Sequence, residues 1–213
     1  MGSCASTPID TKTLFPIIND ADSLKRYLKY VDLEKIKKKF LDENVIDTQG
    51  FLTTGTGPFN VFASMVSGNT PNNVDQSLLG SHTKDFMVCH NRPINDEKWD
   101  DPTFLAASMA GPDASGPGHV FIITKHLHFD TFNILPIVMN KNIQFLNNLL
   151  LAALEYTKNR GWKNPGFYFH CYPYNSVQSL HLHVVNKDNL GPSFYSQKHK
   201  NLSMYDVLSM DMS

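Results

Sequence analysis

The chain has 213 residues, which is enough for one domain of ordinary size with a real hydrophobic core. Hydrophobic residues make up 41% and charged residues 18%, which excludes a wholly disordered protein. The formal net charge of -1 disfavours a protein that coats polyanions, so we expect no extended nucleic acid among its partners.

The amino-terminal residues fit a pattern for lipid attachment. Gly2 and Ser6 match the N-myristoylation pattern, and Cys4 is placed to carry a second acyl chain. Because two acyl chains anchor a protein stably and one does not, we expect residues 1–18 to be a flexible segment that acylation tethers to a membrane surface. The alternative is a chance match to a short pattern.

The cysteine content and the lack of long apolar runs indicate a cytoplasmic protein. The three cysteines are too few and too scattered for a disulfide scaffold. No apolar run reaches about 18 residues, and the amino terminus lacks the apolar stretch of a secretory signal. We therefore expect reduced thiols and a cytoplasmic protein, associated with a membrane only through the acylated terminus.

Residues 20–43 are predicted to form one helix, within a helical extension at 19–57. The apolar stripe of this helix runs from Leu24 to Phe40, and Asp20 or Asp22 stands near its start. The many lysines of the segment indicate either the solvated outer face of a docked helix, which we prefer, or attraction to an anionic membrane.

Beyond residue 50 the pattern alternates between strands and one helix. Runs of β-branched and aromatic residues predict four strands, at 84–90, 118–124, 166–172 and 178–186. Apolar residues at helical spacing predict a helix that begins near Pro136 and stops at 159–161. A long segment rich in proline and glycine, 92–117, has a length that often carries function. This order of elements indicates an α+β domain with a largely antiparallel sheet.

The most informative residues lie on the last predicted strand. Because side chains alternate along a strand, Ser179, His181 and His183 are expected on one face, with Leu182 and Val184 toward the core. Two imidazoles spaced roughly 7 Å apart along a strand can both reach one phosphate-sized group.

Such a histidine pair has two chemical uses. A neutral imidazole is a competent nucleophile toward phosphorus if its other ring nitrogen holds a proton against an acceptor, such as the backbone carbonyl two residues earlier. The second imidazole then stabilises phosphate oxygens or gives a proton to the leaving group. The rival use is metal binding, with His170 or His119 as a third ligand.

The segment from Ser176 to Val185 resembles the signature of the histidine triad (HIT) superfamily, in which a Ser-Val pair precedes alternating histidines. Segments 61–71, 86–91 and 118–125 are similar to further parts of that family. The resemblance implies an α+β, HIT-like fold, in which a long helix packs on an antiparallel sheet. We therefore predict a HIT-like domain at 58–192, followed at 193–213 by a loop and a short helix. The basic residues 198–200 are interpreted either as part of a solvated loop, which we prefer, or as groups that approach a phosphate.

The resemblance implies catalytic roles for four residues. His181 holds the middle position of the triad and would form a nucleotidyl-histidine intermediate, while His183 would contact the α-phosphate. Ser176 matches a serine that contacts phosphate. His170 matches a histidine that helps to protonate the leaving group in the aprataxin and scavenger-decapping branches.

Five further residues are assigned to substrate binding. His119 matches a histidine often found beside the triad, and Asn91 falls near the ribose-binding position of the family. The other three adjoin or belong to the signature itself: Asn175, Gln178 and Ser179.

Ser179 departs from the family pattern, because the first triad histidine would stand there. If this position contributes mainly its backbone carbonyl, activity should survive; if an imidazole is needed, the chain is a slow enzyme or a nucleotide sensor. The glycine-rich turns of the smaller family members are replaced here by residues 173–175, which leaves the leaving group open.

The resemblance implies a nucleotide hydrolase or transferase that acts at the α-phosphate of a nucleoside monophosphate conjugate, without a metal or other cofactor. Its activity would be that of a phosphoramidase, a dinucleoside polyphosphate hydrolase or a deadenylase-like enzyme. The alternatives are a membrane-tethered nucleotide-binding module with little catalysis and a histidine-ligated metalloprotein. Both monomers and homodimers occur among the relatives, so the oligomeric state is left open.

Overall fold

The computed structural model of the protein describes residues 17–68, 74–90, 118–172 and 177–210. Several sequence predictions fall outside these ranges, so the structure does not place them. They are the lipid-attachment residues Gly2 and Cys4, the segment 92–117, and the site residues Asn91, Asn175 and Ser176.

Five strands form one antiparallel sheet. They are β1 (Phe86–His90), β2 (His119–Thr124), β3 (Pro165–Phe169), β4 (Leu182–Asn186) and β5 (Leu202–Ser203). Their order across the sheet is β1-β2-β4-β3-β5, and each neighbouring pair is antiparallel. The predicted α+β class with an antiparallel sheet is confirmed. The last two predicted strands are shorter than expected, and β5 lies in a segment expected to be a loop.

Seven helices surround the sheet in the described ranges. They are α1 (Ala21–Leu28), α2 (Leu33–Asp42), α3 (Val61–Val66), α4 (Ile134–Met139), α5 (Ile143–Asn159), α6 (Pro192–Gln197) and α7 (Met204–Leu208). Short 3₁₀ segments lie at Gln76–Lys84, Phe129–Thr131 and Lys198–Lys200. Over these same ranges, none of the helices combines the length and the apolar character that crossing a membrane would require.

The prediction of one helix at 20–43 is wrong, because the chain turns between α1 and α2. The backbone N–H groups of Tyr30 and Val31 donate to carbonyls three residues earlier, and Asp32 then starts a new helix. The side chain of Asp32 accepts a hydrogen bond from the N–H of Lys35, as an N-cap residue does. The amino-terminal extension is therefore a pair of short helices.

The sheet separates two hydrophobic cores. On one side, residues such as Leu182 and Val184 pack against α5, as the alternation predicts, and Leu24 of α1 joins them. On the other side, Phe121 packs in an aromatic cluster that includes Phe40 of α2. Both amino-terminal helices thus contribute buried side chains to the cores, and the second core supports the face that carries the histidines.

Candidate active site

His183 stands near the centre of the sheet. Strand β4 lies between β2 and β3, and the register places His183 opposite both Phe121 and Tyr168. Residues that face each other across an antiparallel pair share one side of the sheet. The rings of Tyr168 and His183 are stacked, with centroids 4.7 Å apart and an interplanar angle of 3°. The ring of His183 is therefore held by packing.

His181 lies one residue before β4, and its proton position follows from one contact. Its Nδ1 is 2.7 Å from the backbone carbonyl oxygen of Ser179. A carbonyl oxygen only accepts hydrogen bonds, so Nδ1 carries the proton and Nε2 of the neutral ring keeps a lone pair. The hydrogen bond to the carbonyl two residues earlier is the contact expected from the sequence.

The expectation that Ser179 lies on the same strand as the two histidines is wrong, because the strand begins only at Leu182. Ser179 is fully buried, and its hydroxyl donates a hydrogen bond to the carbonyl of Phe59. Its backbone carbonyl, rather than its side chain, faces His181. The rings of His181 and His183 are 4.7 Å apart, closer than the extended strand predicts, because His181 is outside the ladder.

His170 extends the pair into a histidine cluster of three rings. Its centroid lies 4.4 Å from that of His183 and 6.5 Å from that of His181, so the three rings form a triangle with His183 at its corner. Its Nε2 donates to Oδ1 of Asn201 over 2.8 Å. Phe169 pairs with Leu202 in the antiparallel ladder of β3 and β5. The next residue of each segment, His170 and Asn201, therefore continues the same register. The position of His170 is thus fixed by the carboxy-terminal segment.

His119 lies behind His183. Its Nε2 is 2.9 Å from Nδ1 of His183, and its Nδ1 is 3.1 Å from Oγ of Ser193. The hydroxyl of Tyr168 lies 3.4 Å from the same Nε2. One nitrogen in the His119–His183 contact must donate and the other accept, so this contact couples the tautomers of the two rings.

The remaining nitrogen of His183, Nε2, is buried and has no hydrogen-bond partner among the described residues. A buried polar atom without a partner costs about 1–3 kcal/mol, and few are retained in folded proteins. This atom is therefore available for a hydrogen bond to a bound ligand.

The three histidines of the cluster are neutral near pH 7. Burial lowers the pKa of His181 to about 4, against the opposing effect of its hydrogen bond to Ser179. Burial and the neighbouring His181 lower the pKa of His170 to about 3. Burial, followed by His170 and His181, holds the pKa of His183 well below its usual range. Neutral rings keep a nitrogen lone pair for nucleophilic attack or for a metal.

Lys200 corrects another sequence interpretation. Its side chain is half-buried, and burial lowers its pKa. Its positive charge also contributes to the lowered pKa of all three histidines in the cluster. The 3₁₀ segment Lys198–Lys200 therefore brings a cation to the site, whereas the sequence favoured a solvated loop.

The same three histidines also fit a metal ion. The nitrogens that they offer lie within 4.8 Å of one another. His181 and His170 each donate the other ring N–H to an oxygen, the arrangement usual for histidines that ligate zinc. Neutral imidazole is also the ligand form that zinc requires.

Gln178 lies in the loop before His181, where its backbone is tightly held. Its N–H donates to the carbonyl of Pro58, and its own carbonyl accepts from the side chain of Asn133. Sequence reasoning did not select four residues that the structure places at the site: Tyr168, Ser193, Lys200 and Asn201. Tyr168 could have been found from its spacing of two from His170 along a strand. The other three are brought by long-range packing, which leaves no local pattern.

The family comparison agrees with this arrangement. A family model described as scavenger mRNA decapping enzyme C-terminal binding matches residues 88–199, more than half of the chain. No curated protein and no solved structure matches. The matched segment includes the three clustered histidines, His119, strands β2 to β4 and the last three residues of β1. The chain therefore belongs to this scavenger-decapping C-terminal family, a HIT-superfamily domain with a nucleotide-processing function.

Proposed function

We propose that the protein is a nucleotide hydrolase or transferase that acts at the α-phosphate through a covalent intermediate on His181. The observation that carries the proposal is the hydrogen bond from Nδ1 of His181 to the carbonyl of Ser179. That bond places the ring proton on Nδ1 and leaves the lone pair on Nε2. Within the described residues, Nε2 makes no hydrogen bond. The substrate would be a nucleoside monophosphate conjugated through an oxygen or a nitrogen.

The reaction proceeds in two displacements. First, Nε2 of His181 forms a bond to the α-phosphorus while the bond from phosphorus to the leaving group breaks, and the electron pair departs with the leaving group. Next, a water oxygen attacks the same phosphorus and releases the nucleoside monophosphate. The phosphorus–nitrogen bond breaks, its electron pair returns to Nε2, and the water proton passes to solvent. Another nucleophile in place of water gives transfer.

The neighbouring groups supply charge stabilisation and contacts to the leaving group and the nucleotide. Nε2 of His183, buried and without a partner in the described ranges, would hydrogen-bond a phosphate oxygen. The family pattern assigns Ser176 to the same phosphate and His170 to the leaving group. It places Asn91 near the ribose. Asn175 and Gln178, which adjoin or belong to the signature, would contact the rest of the nucleotide, and His119 supports His183 from behind.

Rapid-quench mass spectrometry tests the intermediate directly. The protein is mixed with adenosine phosphoramidate or diadenosine triphosphate, quenched within milliseconds to seconds, and its intact mass is measured. We expect an added nucleotidyl mass in the wild type and none in His181→Ala. Loss of the nucleophile should lower turnover by about 10³-fold or more. His82→Ala, a change in the Gln76–Lys84 segment, is the matched control and should retain both. Undiminished turnover by His181→Ala would overturn the mechanism.

A second candidate function is that of a metalloprotein, favoured by the spacing of His170, His181 and His183. A zinc ion held there would activate a water molecule, and the protein would need no covalent intermediate. Elemental analysis of the purified protein and turnover with and without a chelator separate the two candidates. About one equivalent of bound metal, together with turnover that a chelator abolishes, supports the metal site. No bound metal, together with full turnover in the presence of the chelator, removes this candidate.

A further inference from the structure

Asn201 contacts the ring of His170 through its amide oxygen. Its Oδ1 lies 2.8 Å from Nε2 of His170. Its Nδ2 is buried and makes no hydrogen bond to any residue in the described ranges. The backbone of Asn201 is fixed on both sides, because its N–H donates to the carbonyl of Lys198 and the next residue, Leu202, pairs with β3. The contact with His170 is therefore built into the fold.

This contact determines which ring nitrogen of His170 carries the proton. An amide oxygen only accepts hydrogen bonds, so the proton is on Nε2. The ring is neutral near pH 7, because burial and the neighbouring His181 lower its pKa to about 3. Nδ1 of His170 therefore keeps the lone pair. A neutral ring in this tautomer accepts a hydrogen bond at Nδ1 and has no proton to give there.

Only the second displacement of the proposed reaction supplies a proton to such an acceptor. In the first displacement the electron pair departs with the leaving group, whereas in the second the attacking water loses a proton as its oxygen bonds to phosphorus. Both displacements are in line with Nε2 of His181, so the water enters where the leaving group departed, the side to which the family pattern assigns His170. The nitrogens that His170 and His181 offer lie within 4.8 Å of each other, so a water that attacks phosphorus on His181 can also contact Nδ1 of His170.

We infer that Asn201 is a positioning residue, which holds Nδ1 of His170 as the acceptor for the water that hydrolyses the nucleotidyl intermediate. In that step a water proton moves to Nδ1 while the water oxygen bonds to phosphorus. The bond from phosphorus to His181 breaks, its electron pair returns to Nε2, and His170 then releases the proton to solvent. The inference rests on the proposed function, because it concerns the second displacement. His170 thus serves the water, whereas the family pattern assigns it to the leaving group.

Nitrogen NMR of protein labelled with ¹⁵N-histidine tests the proton position at pH 7 without any substrate. The signals of His170 are assigned by their absence from the spectrum of His170→Gln. We expect a protonated Nε2 and an unprotonated Nδ1 in the wild type, and loss of this single pattern in Asn201→Leu, which has no acceptor. A protonated Nδ1 in the wild type, or an unchanged pattern in Asn201→Leu, overturns the inference.

The decay rate of the nucleotidyl enzyme tests the role of Asn201 in the reaction. Rapid-quench mass spectrometry with diadenosine triphosphate follows formation and decay of the intermediate. We expect Asn201→Leu to slow decay by about ten-fold or more, with little change in formation, because the acceptor serves only the water. Asn201→Asp keeps an oxygen acceptor and should return decay to within a few-fold of wild type. Asn147→Leu, an exposed change on α5, is the matched control and should alter neither rate.

The outcomes separate this inference from the proposed function. Equal slowing of formation and decay in Asn201→Leu, or no rescue by Asn201→Asp, overturns the inference and leaves the covalent mechanism standing. If the wild type forms no nucleotidyl intermediate, the proposed function fails and the role in water attack fails with it. The NMR pattern then still decides whether Asn201 sets the proton position of His170.

Discussion

At the residue scale, Ser179 shows how the site can work where the family pattern is broken. A histidine in this position would supply the same backbone carbonyl as the serine does, and that carbonyl is what His181 contacts. The serine hydroxyl is used elsewhere, in a hydrogen bond to the carbonyl of Phe59. The side chain at position 179 can therefore change without changing which ring nitrogen of His181 carries the proton.

Ser179→Ala should lower stability but retain the chemistry. The substitution keeps the carbonyl that orients His181 and removes the donor to Phe59, which leaves a buried carbonyl without that partner. We expect a loss of about 1–3 kcal/mol in the free energy of unfolding, measured by urea denaturation. Turnover should stay within a few-fold of wild type. A loss of turnover as large as that in His181→Ala, in a folded protein, would show that the hydroxyl takes part in the reaction.

The pH dependence of kcat/KM should report the lowered pKa of His181. Protonation of Nε2 removes the attacking lone pair, so activity is lost as pH falls through the pKa of the free enzyme. Because burial lowers that pKa to about 4, kcat/KM should stay level from about pH 8 to about pH 5 and fall near pH 4. Circular dichroism at each pH checks that the protein stays folded. A decline centred near 6.5, the ordinary histidine value, would contradict the neutral buried ring.

At the element scale, helix α2 supports the loop that carries Ser179. Phe40 of α2 packs against Phe59, with ring centroids 4.5 Å apart, and against Phe132 at 5.1 Å. The carbonyl of Phe59 accepts the hydrogen bond from Ser179, whose own carbonyl holds His181. A chain of contacts therefore runs from the amino-terminal helix to the proposed nucleophile.

Truncation of Phe40 should be strongly destabilising. Phe40→Ala removes a fully buried ring and should lower the free energy of unfolding by about 3–5 kcal/mol. Phe40→Leu, which keeps part of the volume, should cost less and remain folded for kinetic measurement. Leu41→Ala alters the adjoining, 39% exposed residue and should change stability little. Equal urea midpoints for Phe40→Leu, Phe40→Ala and Leu41→Ala would contradict the role of α2 in the second core.

The elements also show which features a sequence can predict. Alternation of apolar residues at 182 and 184 is local, so it identified β4, and the histidine signature identified the site. The turn before Asp32 was missed because Leu28, Val31 and Ile36 continue an apolar stripe across it. Strand β5 is only two residues long and forms through pairing with β3. A strand that depends on such a distant partner leaves no periodic pattern, so Lys200 and Asn201 could not be placed.

At the scale of the whole molecule, both cores draw on residues outside the predicted domain at 58–192. Leu24 and Phe40 come from before this range, and Leu202, Met204 and Val207 come from after it. All five are nearly or completely buried. Each large buried side chain contributes on the order of 1.5–3 kcal/mol, while the net stability of a domain is about 5–15 kcal/mol. The loss of several such residues therefore exceeds what a domain can tolerate.

We predict that a fragment of residues 58–192 does not fold on its own, whereas residues 17–210 fold as the full chain does. The shorter fragment lacks α1, α2, β5, α7 and all of α6 except Pro192, so the sheet loses its β5 edge and the aromatic cluster loses Phe40. Amide NMR spectra and urea denaturation distinguish the outcomes. We expect narrow dispersion and no cooperative transition for 58–192, and dispersed signals with a cooperative transition for 17–210. A dispersed spectrum and a cooperative transition from 58–192 would show instead that the predicted domain is self-sufficient and that the flanking helices are accessory.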